Sequence, residues 1–240
     1  MSYIETHLIR TCECDMYGRW KPSSMFEAMQ EVAIAHCEAA GLGRNVTDGL
    51  GVAWVISRCR VELSRQPVSG EEISIETYAM PTRHLFFPRC YVLRDASGNT
   101  VCGAYGLWVL LDLHTRKIVA NPFVSQTLPL EDREMAAKVP ATVQPLNDAP
   151  VKGELTPQFT EFDLNGHVNN AKYLDWCWNA LGFDALRDRQ LSSLDINYER
   201  EALRGEVIRT ELCMDGDAFS FCGHAGDKRC FGVSGQLLRI

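Results

Sequence analysis

The chain carries one unit twice, and this repetition limits its architecture more than any other feature of the sequence. Asp15-Met16-Tyr17-Gly18 stands near the start, and Asp163-Leu164-Asn165-Gly166-His167-Val168-Asn169-Asn170 stands in the second half. Both begin Asp-apolar-x-Gly, and both open a stretch with helical spacing. In the first, Met25, Met29, Val32, Ala33, Cys37 and Ala40 recur at that spacing, and Gly41 supplies a stop. In the second, Tyr173, Leu174, Cys177, Ala180 and Leu181 recur, and Gly182 supplies the stop.

The stretches after the two helices are also alike. Strand-like runs span Val52 to Leu63, Glu72 to Ala79, Leu85 to Arg94 and Val101 to Leu113 in the first half. The second half has Ser192 to Glu199, Val207 to Met214, Phe219 to His224 and Cys230 to Leu238. Turn residues such as Ser97-Gly98-Asn99 and Asp215-Gly216-Asp217 punctuate them. A further short strand precedes each helix, Tyr3 to Cys12 and Gly153 to Phe162. Alternation such as Ile73-Ser74-Ile75-Glu76-Thr77-Tyr78 gives the sheet two faces of different character. The expected class is therefore α+β, with an antiparallel sheet wrapped around one helix, twice. Joining the two sheets into one would bury an edge of each.

The expected division is a first unit over 1–120, a linker over 121–152 and a second unit over 153–240. The linker holds Pro122, Pro129, Pro140, Pro145 and Pro150, whose missing donors break regular structure. A short helix around Glu131 to Lys138 is expected inside it.

The bulk properties narrow the setting. A net charge of −7 disfavours nucleic acid as a partner. The run Val101 to Leu111 is too short for membrane insertion, and the first residues do not read as a signal peptide, so the expected location is the cytoplasm. Ten cysteines without a Cys-x2-Cys pair are expected as buried free thiols rather than as disulfides or a metal site. No cofactor is expected, because neither a GxGxxG nor a P-loop pattern occurs.

The segment Asp163 to Asn170 carries the chemistry. Asp163 and Asn165 alternate, so their side chains share one face, and His167 lies two residues further on. Gly166 permits a left-handed turn, and Asn169 or Asn170 can cap the next helix. That helix start offers free N–H groups for an oxyanion. A local Asp-x-x-Gly run is often only a turn, and for Asp15 to Gly18, with neither Asn nor His, the turn reading suffices.

Asp163-x-Asn165-x-His167-Val168-Asn169-Asn170, leading into a helix with Tyr and Trp, resembles the catalytic segment of the acyl-acyl carrier protein thioesterases, the plant FatA and FatB type and their bacterial relatives. The resemblance covers nearly the whole chain. It implies two tandem hot-dog domains, with a catalytic C-terminal unit and an N-terminal unit that keeps a degenerate site and shapes the acyl pocket. It also implies a glutamate in a Tyr-x-x-Glu pattern, which falls on Glu201 after Tyr198. Glu199 is the local rival. Many plant members have cysteine after that glutamate; Ala202 stands here, so no thiol nucleophile is available at that position.

The implied activity is thioester hydrolysis, with Asp163 and Glu201 as candidate bases, Asn165 holding water or the carbonyl, and His167 as donor or acid. Candidates for the apolar acyl tunnel are Met25, Met29, Trp54, Ile56, Phe86 and Phe87. The implied partner, acyl-loaded acyl carrier protein, is acidic. Arg58, Arg60, Arg65, Arg83, Arg89, Arg94 and Arg116-Lys117 are the expected docking patch. The expected assembly is a monomer or a homodimer. An acyl-coenzyme A thioesterase, a hot-dog dehydratase and a non-catalytic acyl-binding sensor are the alternatives.

Overall fold

The alternating strands and the two helices assemble as a single antiparallel sheet with a helix laid on each half. The computed structural model describes residues 1–147 and 150–240. The strands are β1 (Tyr3–Leu8), β2 (Val52–Leu63), β3 (Glu72–Ala79), β4 (Phe87–Arg94), β5 (Thr100–Asp112), β6 (Ile118–Val119), β7 (Val151–Leu155), β8 (Arg189–Tyr198), β9 (Ile208–Asp215), β10 (Ala218–Ala225) and β11 (Lys228–Arg239). The helices are α1 (Pro22–Ala39), α2 (Arg44–Gly49), α3 (Pro122–Thr127) and α4 (Lys172–Leu186). The sheet runs β1-β3-β4-β5-β2-β8-β11-β10-β9-β7, with β6 paired to β5. Each half therefore repeats the other about a twofold axis between β2 and β8. Those two strands form the seam, pairing Arg58 with Asn197, Arg60 with Asp195 and Glu62 with Ser193. The central edges are thus consumed, as expected of a joined sheet.

The inner face packs α1 and α4 into one continuous core. Ile73 and Ile75 point inward with Met25, Met29 and Val32 of α1. Phe231 meets Tyr173 and Trp176 of α4, with the Tyr173 and Phe231 ring centres 4.9 Å apart, while Phe221 packs on Phe231 and Phe219 on Trp178 of the same helix. Burial of such side chains supplies most of the driving force for folding, roughly 1.5–3 kcal/mol for each large one.

Further along the same strand, Glu76 and Tyr78 face the other way. The outer face is covered by the proline-rich connection. Glu131 N–H donates to Ala79 O (2.8 Å), and the Tyr78 hydroxyl donates to Glu134 O (2.8 Å). Ala141 N–H donates to Asp195 (2.9 Å) and Val143 N–H to Asn197 (2.8 Å). Within the span Glu131 to Lys138, where a helix is expected, the Glu131 N–H and the Glu134 carbonyl are bonded to the sheet, and no helix forms. A helix forms earlier, at Pro122–Thr127, where Asn121 caps the Val124 N–H at 3.2 Å and proline fits the first turn. Residues 148 and 149 of the expected linker lie outside the described residues.

Other boundaries also differ. The first and seventh strands stop early, and short 3₁₀ turns come next at Thr11–Glu13 and Phe159–Glu161. Gly182 takes φ 73°, but a further turn carries the helix to Leu186. Helix α2 and strand β6 had no sequence signal.

Under the connection, Glu76 is buried between Arg94 (2.9 Å) and Arg133 (2.7 Å). The Arg133 hydrogen bond, assisted by Arg94, holds its carboxyl below the usual carboxylate range. A depressed folded-state pKa adds stability above the unfolded value, and this is lost as pH falls through the folded value. Glu76→Gln is expected to cost about 1–2 kcal/mol at pH 7. The gap in melting temperature between variant and wild type is expected to close under acid, and thermal melts across pH check it.

Candidate active site

The two copies of the Asp-apolar-x-Gly run fold into the same turn. Asp15 N–H donates to Arg19 O (2.8 Å) and Gly18 N–H to Asp15 O (3.0 Å); Asp163 N–H donates to His167 O (2.9 Å) and Gly166 N–H to Asp163 O (3.0 Å). Gly18 and Gly166 take φ 78° and 74°, where a side chain would be strained. In each copy the aspartate carboxylate accepts amides from inside its own turn. Asp15 Oδ1 accepts from Tyr17 (2.9 Å) and Arg19 (3.0 Å). Asp163 Oδ1 accepts from Asn165 (2.8 Å) and His167 (3.4 Å). The Asn165 amide reaches the other Asp163 oxygen at 3.5 Å. Asp163 is therefore the organiser of the loop. The expected asparagine cap does not form: the N-cap of α4 is Ala171, with no side-chain cap, and Asn169 instead accepts the Ala171 N–H at 2.9 Å in the turn before the helix.

The equivalence also shows what each copy does with its variable positions. His167 occupies the place of Arg19. Arg19 is buried, and its guanidinium donates to Leu186 O (2.9 Å) and to Arg189 O across the seam. His167 is half-exposed, with Nε2 lying 3.2 Å from Glu201 Oε2. Glu201 lies three residues past the end of β8, and Gln66 lies three past the end of β2. Gln66 is buried and donates to Trp20 O at 2.7 Å. The first copy spends both positions on backbone hydrogen bonds. The second leaves an imidazole and a carboxylate facing each other at the surface.

Glu201 sits in the loop after β8 rather than on the strand itself. That loop is tied down beside it. Ala202 N–H donates to the Tyr173 hydroxyl (3.1 Å), and burial pushes that phenol up to about 12, so it stays neutral. Glu199 points elsewhere, to Arg229 Nε at 2.7 Å. A partner absent from the sequence reading of the site completes it: Arg116 Nη2 lies 2.7 Å from both oxygens of Glu201.

A largely apolar cavity of about 410 Å³ reaches Leu164 and Asn165 of the same loop as His167. Its walls come from α1, α2 and the first half of the sheet, and include Ala33, Trp54, Phe87, Trp108 and Leu128. Leu164 and Asn165 of the second half stand at its border, with Leu164 91% exposed. Of the expected tunnel residues, Trp54 and Phe87 line this cavity. Met29 and Ile56 line a small neighbouring void that reaches Asn170 and Ala171. Met25 is packed into the main core, and Phe86 lies on an exposed turn.

Much of the expected arginine docking patch is engaged within the chain, while Arg83 and Lys117 are exposed. Arg60 pairs with Glu62 (2.8 Å) and with Asp195, Arg65 with Glu71 (2.6 Å), and Arg94 with Glu76. Arg58 donates to Thr142, and Arg89 is buried against His36 Nδ1 at 2.9 Å. Burial, then Arg89, pushes His36 down to about 4, so it serves Arg89 as a neutral acceptor. Alternation placed Arg58 and Arg60 on the face that the connection covers.

A long helix wrapped by an antiparallel sheet, present twice in one continuous sheet, is the tandem hot-dog architecture. Residues 1–122 match the profile of the acyl-ACP thioesterase N-terminal domain, and residues 146–225 match that of the C-terminal domain. The chain belongs to the acyl-acyl carrier protein thioesterase family. It is 25% identical over 235 residues to the chloroplastic acyl-[acyl-carrier-protein] hydrolase FATB3 of Cuphea viscosissima, covering 90% of this chain and 55% of that protein. The chain spans about half the length of the curated relatives it matches. Among solved structures, an acyl-ACP thioesterase from Bacteroides thetaiotaomicron aligns with a TM-score of 0.90 at 19% identity, over 99% of this chain and 98% of that one. The 12:0-ACP thioesterase from Umbellularia californica aligns at 0.89 and 22%, over 100% and 98%. These likenesses establish the shared fold.

Proposed function

We propose that the protein hydrolyses the thioester of an acyl chain carried on acyl carrier protein, releasing the free acid, with Asp163, Asn165, His167 and Glu201 as its site. The carrying observation is the Glu201 carboxylate 3.2 Å from His167 Nε2, on the loop whose Asn165 borders a largely apolar cavity. Water near Glu201 gives up a proton to the carboxylate as its oxygen adds to the thioester carbonyl. The Asn165 amide donates to the oxyanion. Collapse breaks the C–S bond, and the thiol leaves with the proton returned through Glu201 and His167. Asp163 holds the loop that aims Asn165 and His167. The acyl tail lies in the cavity of the first unit, so the reading also keeps the division at 1–120, 121–152 and 153–240. Carrier protein as the donor is supported by the family, whose curated relatives are named as acyl carrier protein hydrolases. A reducing setting such as the cytoplasm is supported by ten cysteines in the free form.

The test is thiol release from acyl carrier protein and acyl-coenzyme A thioesters by wild type, Asp163→Ala and Asp163→Asn. Asparagine can still accept an amide in an Asx turn, and alanine cannot. The expected result is carrier-protein turnover, lost in Asp163→Ala and largely kept in Asp163→Asn. Equal loss in both variants would return Asp163 to the role of base. Preference for coenzyme A would move the donor, and no turnover with any thioester would overturn the reading.

A further inference from the structure

Arg116 stands in the turn between β5 and β6 with φ 58°, a left-handed conformation that favours glycine or asparagine. The turn is built by Asp112, whose carboxylate accepts from the Thr115 amide (2.6 Å), the Thr115 hydroxyl (2.9 Å) and the His114 amide (3.0 Å). Arg116 N–H then donates to Asp112 O at 2.9 Å. The backbone at this position calls for a small residue, yet it carries a long cation. The side chain crosses from the first half to the second and meets Glu201, 85 positions away in sequence.

Glu201 needs such a partner. It lies on a loop, its side chain is 37% exposed, and three rotatable bonds leave its carboxylate free to turn. One Arg116 nitrogen bisects the two oxygens at 2.7 Å, and His167 takes Oε2 at 3.2 Å. Arg116 of the first half donates to the carboxylate, and His167 of the second flanks it on another side. An exposed ion pair adds little to stability, so stability alone gives no reason to hold an arginine in a left-handed turn.

We propose that Arg116 is a positioning residue of the site, which orients the Glu201 carboxylate toward His167 and the mouth of the cavity. The inference rests on Glu201 acting as the base in thioester hydrolysis. It makes the site a joint product of both units: the first supplies the cavity and Arg116, and the second supplies Asn165, His167 and Glu201.

The test compares wild type, Arg116→Ala, Arg116→Asn and Glu201→Gln in thiol release from acyl carrier protein thioesters, with melting temperatures alongside. Arg116→Ala is expected to lose about 10–10²-fold in kcat with KM little changed, the scale for a misplaced reacting group. Guanidinium at sub-denaturing concentration is expected to restore part of that rate, and urea at the same concentration none of it. Arg116→Asn is expected to melt at or above the wild-type temperature while sharing the loss of rate. Such an outcome separates positioning from a structural role. Full activity in both Arg116 variants, with Glu201→Gln inactive, overturns the proposal and leaves the reading of Glu201 intact. A loss of rate that tracks a fall in melting temperature and resists guanidinium also overturns it. Full activity in Glu201→Gln overturns the reading of Glu201 and, with it, the role of Arg116.

Discussion

Glu201→Gln is expected to slow thioester release by about 10²–10⁴-fold, the range for removing one general base. Glutamine keeps the shape of the side chain, and its oxygen still accepts from Arg116 or His167. It cannot take a proton from water. The acyl cavity, formed by residues of the first unit with Leu164 and Asn165 at its border, is untouched by the change. The loss is therefore expected in kcat and kcat/KM together, with acyl binding preserved, the pattern of an interaction made only in the transition state. Single-turnover release with stoichiometric enzyme checks the chemical step, and binding of a non-hydrolysable acyl analogue checks the cavity. A variant that keeps the wild-type rate removes Glu201 from the chemistry and leaves His167 as the base.

The strands were legible because their side chains alternate against a single core. The Glu72 to Ala79 run has the bounds of β3, and Val52 to Leu63 those of β2. The repeat was legible because each Asp-apolar-x-Gly run encodes the same turn chemistry. That same equivalence places Asp163: like its twin Asp15, its carboxylate accepts amides of its own turn. The sequence alone left Asp163 as a candidate base, since it does not say where a carboxylate points. Arg116 was visible only as part of a basic run, because its contact with Glu201 depends on how the two halves meet. The docking patch is reduced for a related reason. Arg60 and Arg94 meet Asp195 and Glu76 on neighbouring strands, and pairing across strands is not written in local spacing. The division of labour between the units comes from the same contacts. Arg19 and Gln66 stitch the first copy across the seam, while at the matching positions of the second His167 and Glu201 face each other.

Gly103→Ala is expected to be the most destabilising small substitution on the outer face. Gly103 lies on β5, between Cys102 and Ala104 of the inner core and next to Tyr105 of the outer layer. A Cβ at this position would lie 1.9 Å from Ala136 O and 2.9 Å from its carbonyl carbon. The obstacle is backbone, so no side-chain rotation relieves it. Either the connection lifts from the sheet or β5 bends. Lifting the connection exposes Tyr78, Cys90 and Val92 and loosens the hydrogen bonds that Asp195 and Asn197 make to Ala141 and Val143 across the seam. Overpacking of this kind costs roughly 1–3 kcal/mol or more, and each kcal/mol lowers the melting temperature of a chain this size by about 2–4 °C. Turnover below the transition is expected to persist, because Gly103 is neither in the cavity lining nor among the contacts of Glu201 and His167. A thermal melt paired with thiol-release rates at low temperature separates the two effects. A wild-type melting temperature in Gly103→Ala would mean that the connection does not cross the sheet at this glycine.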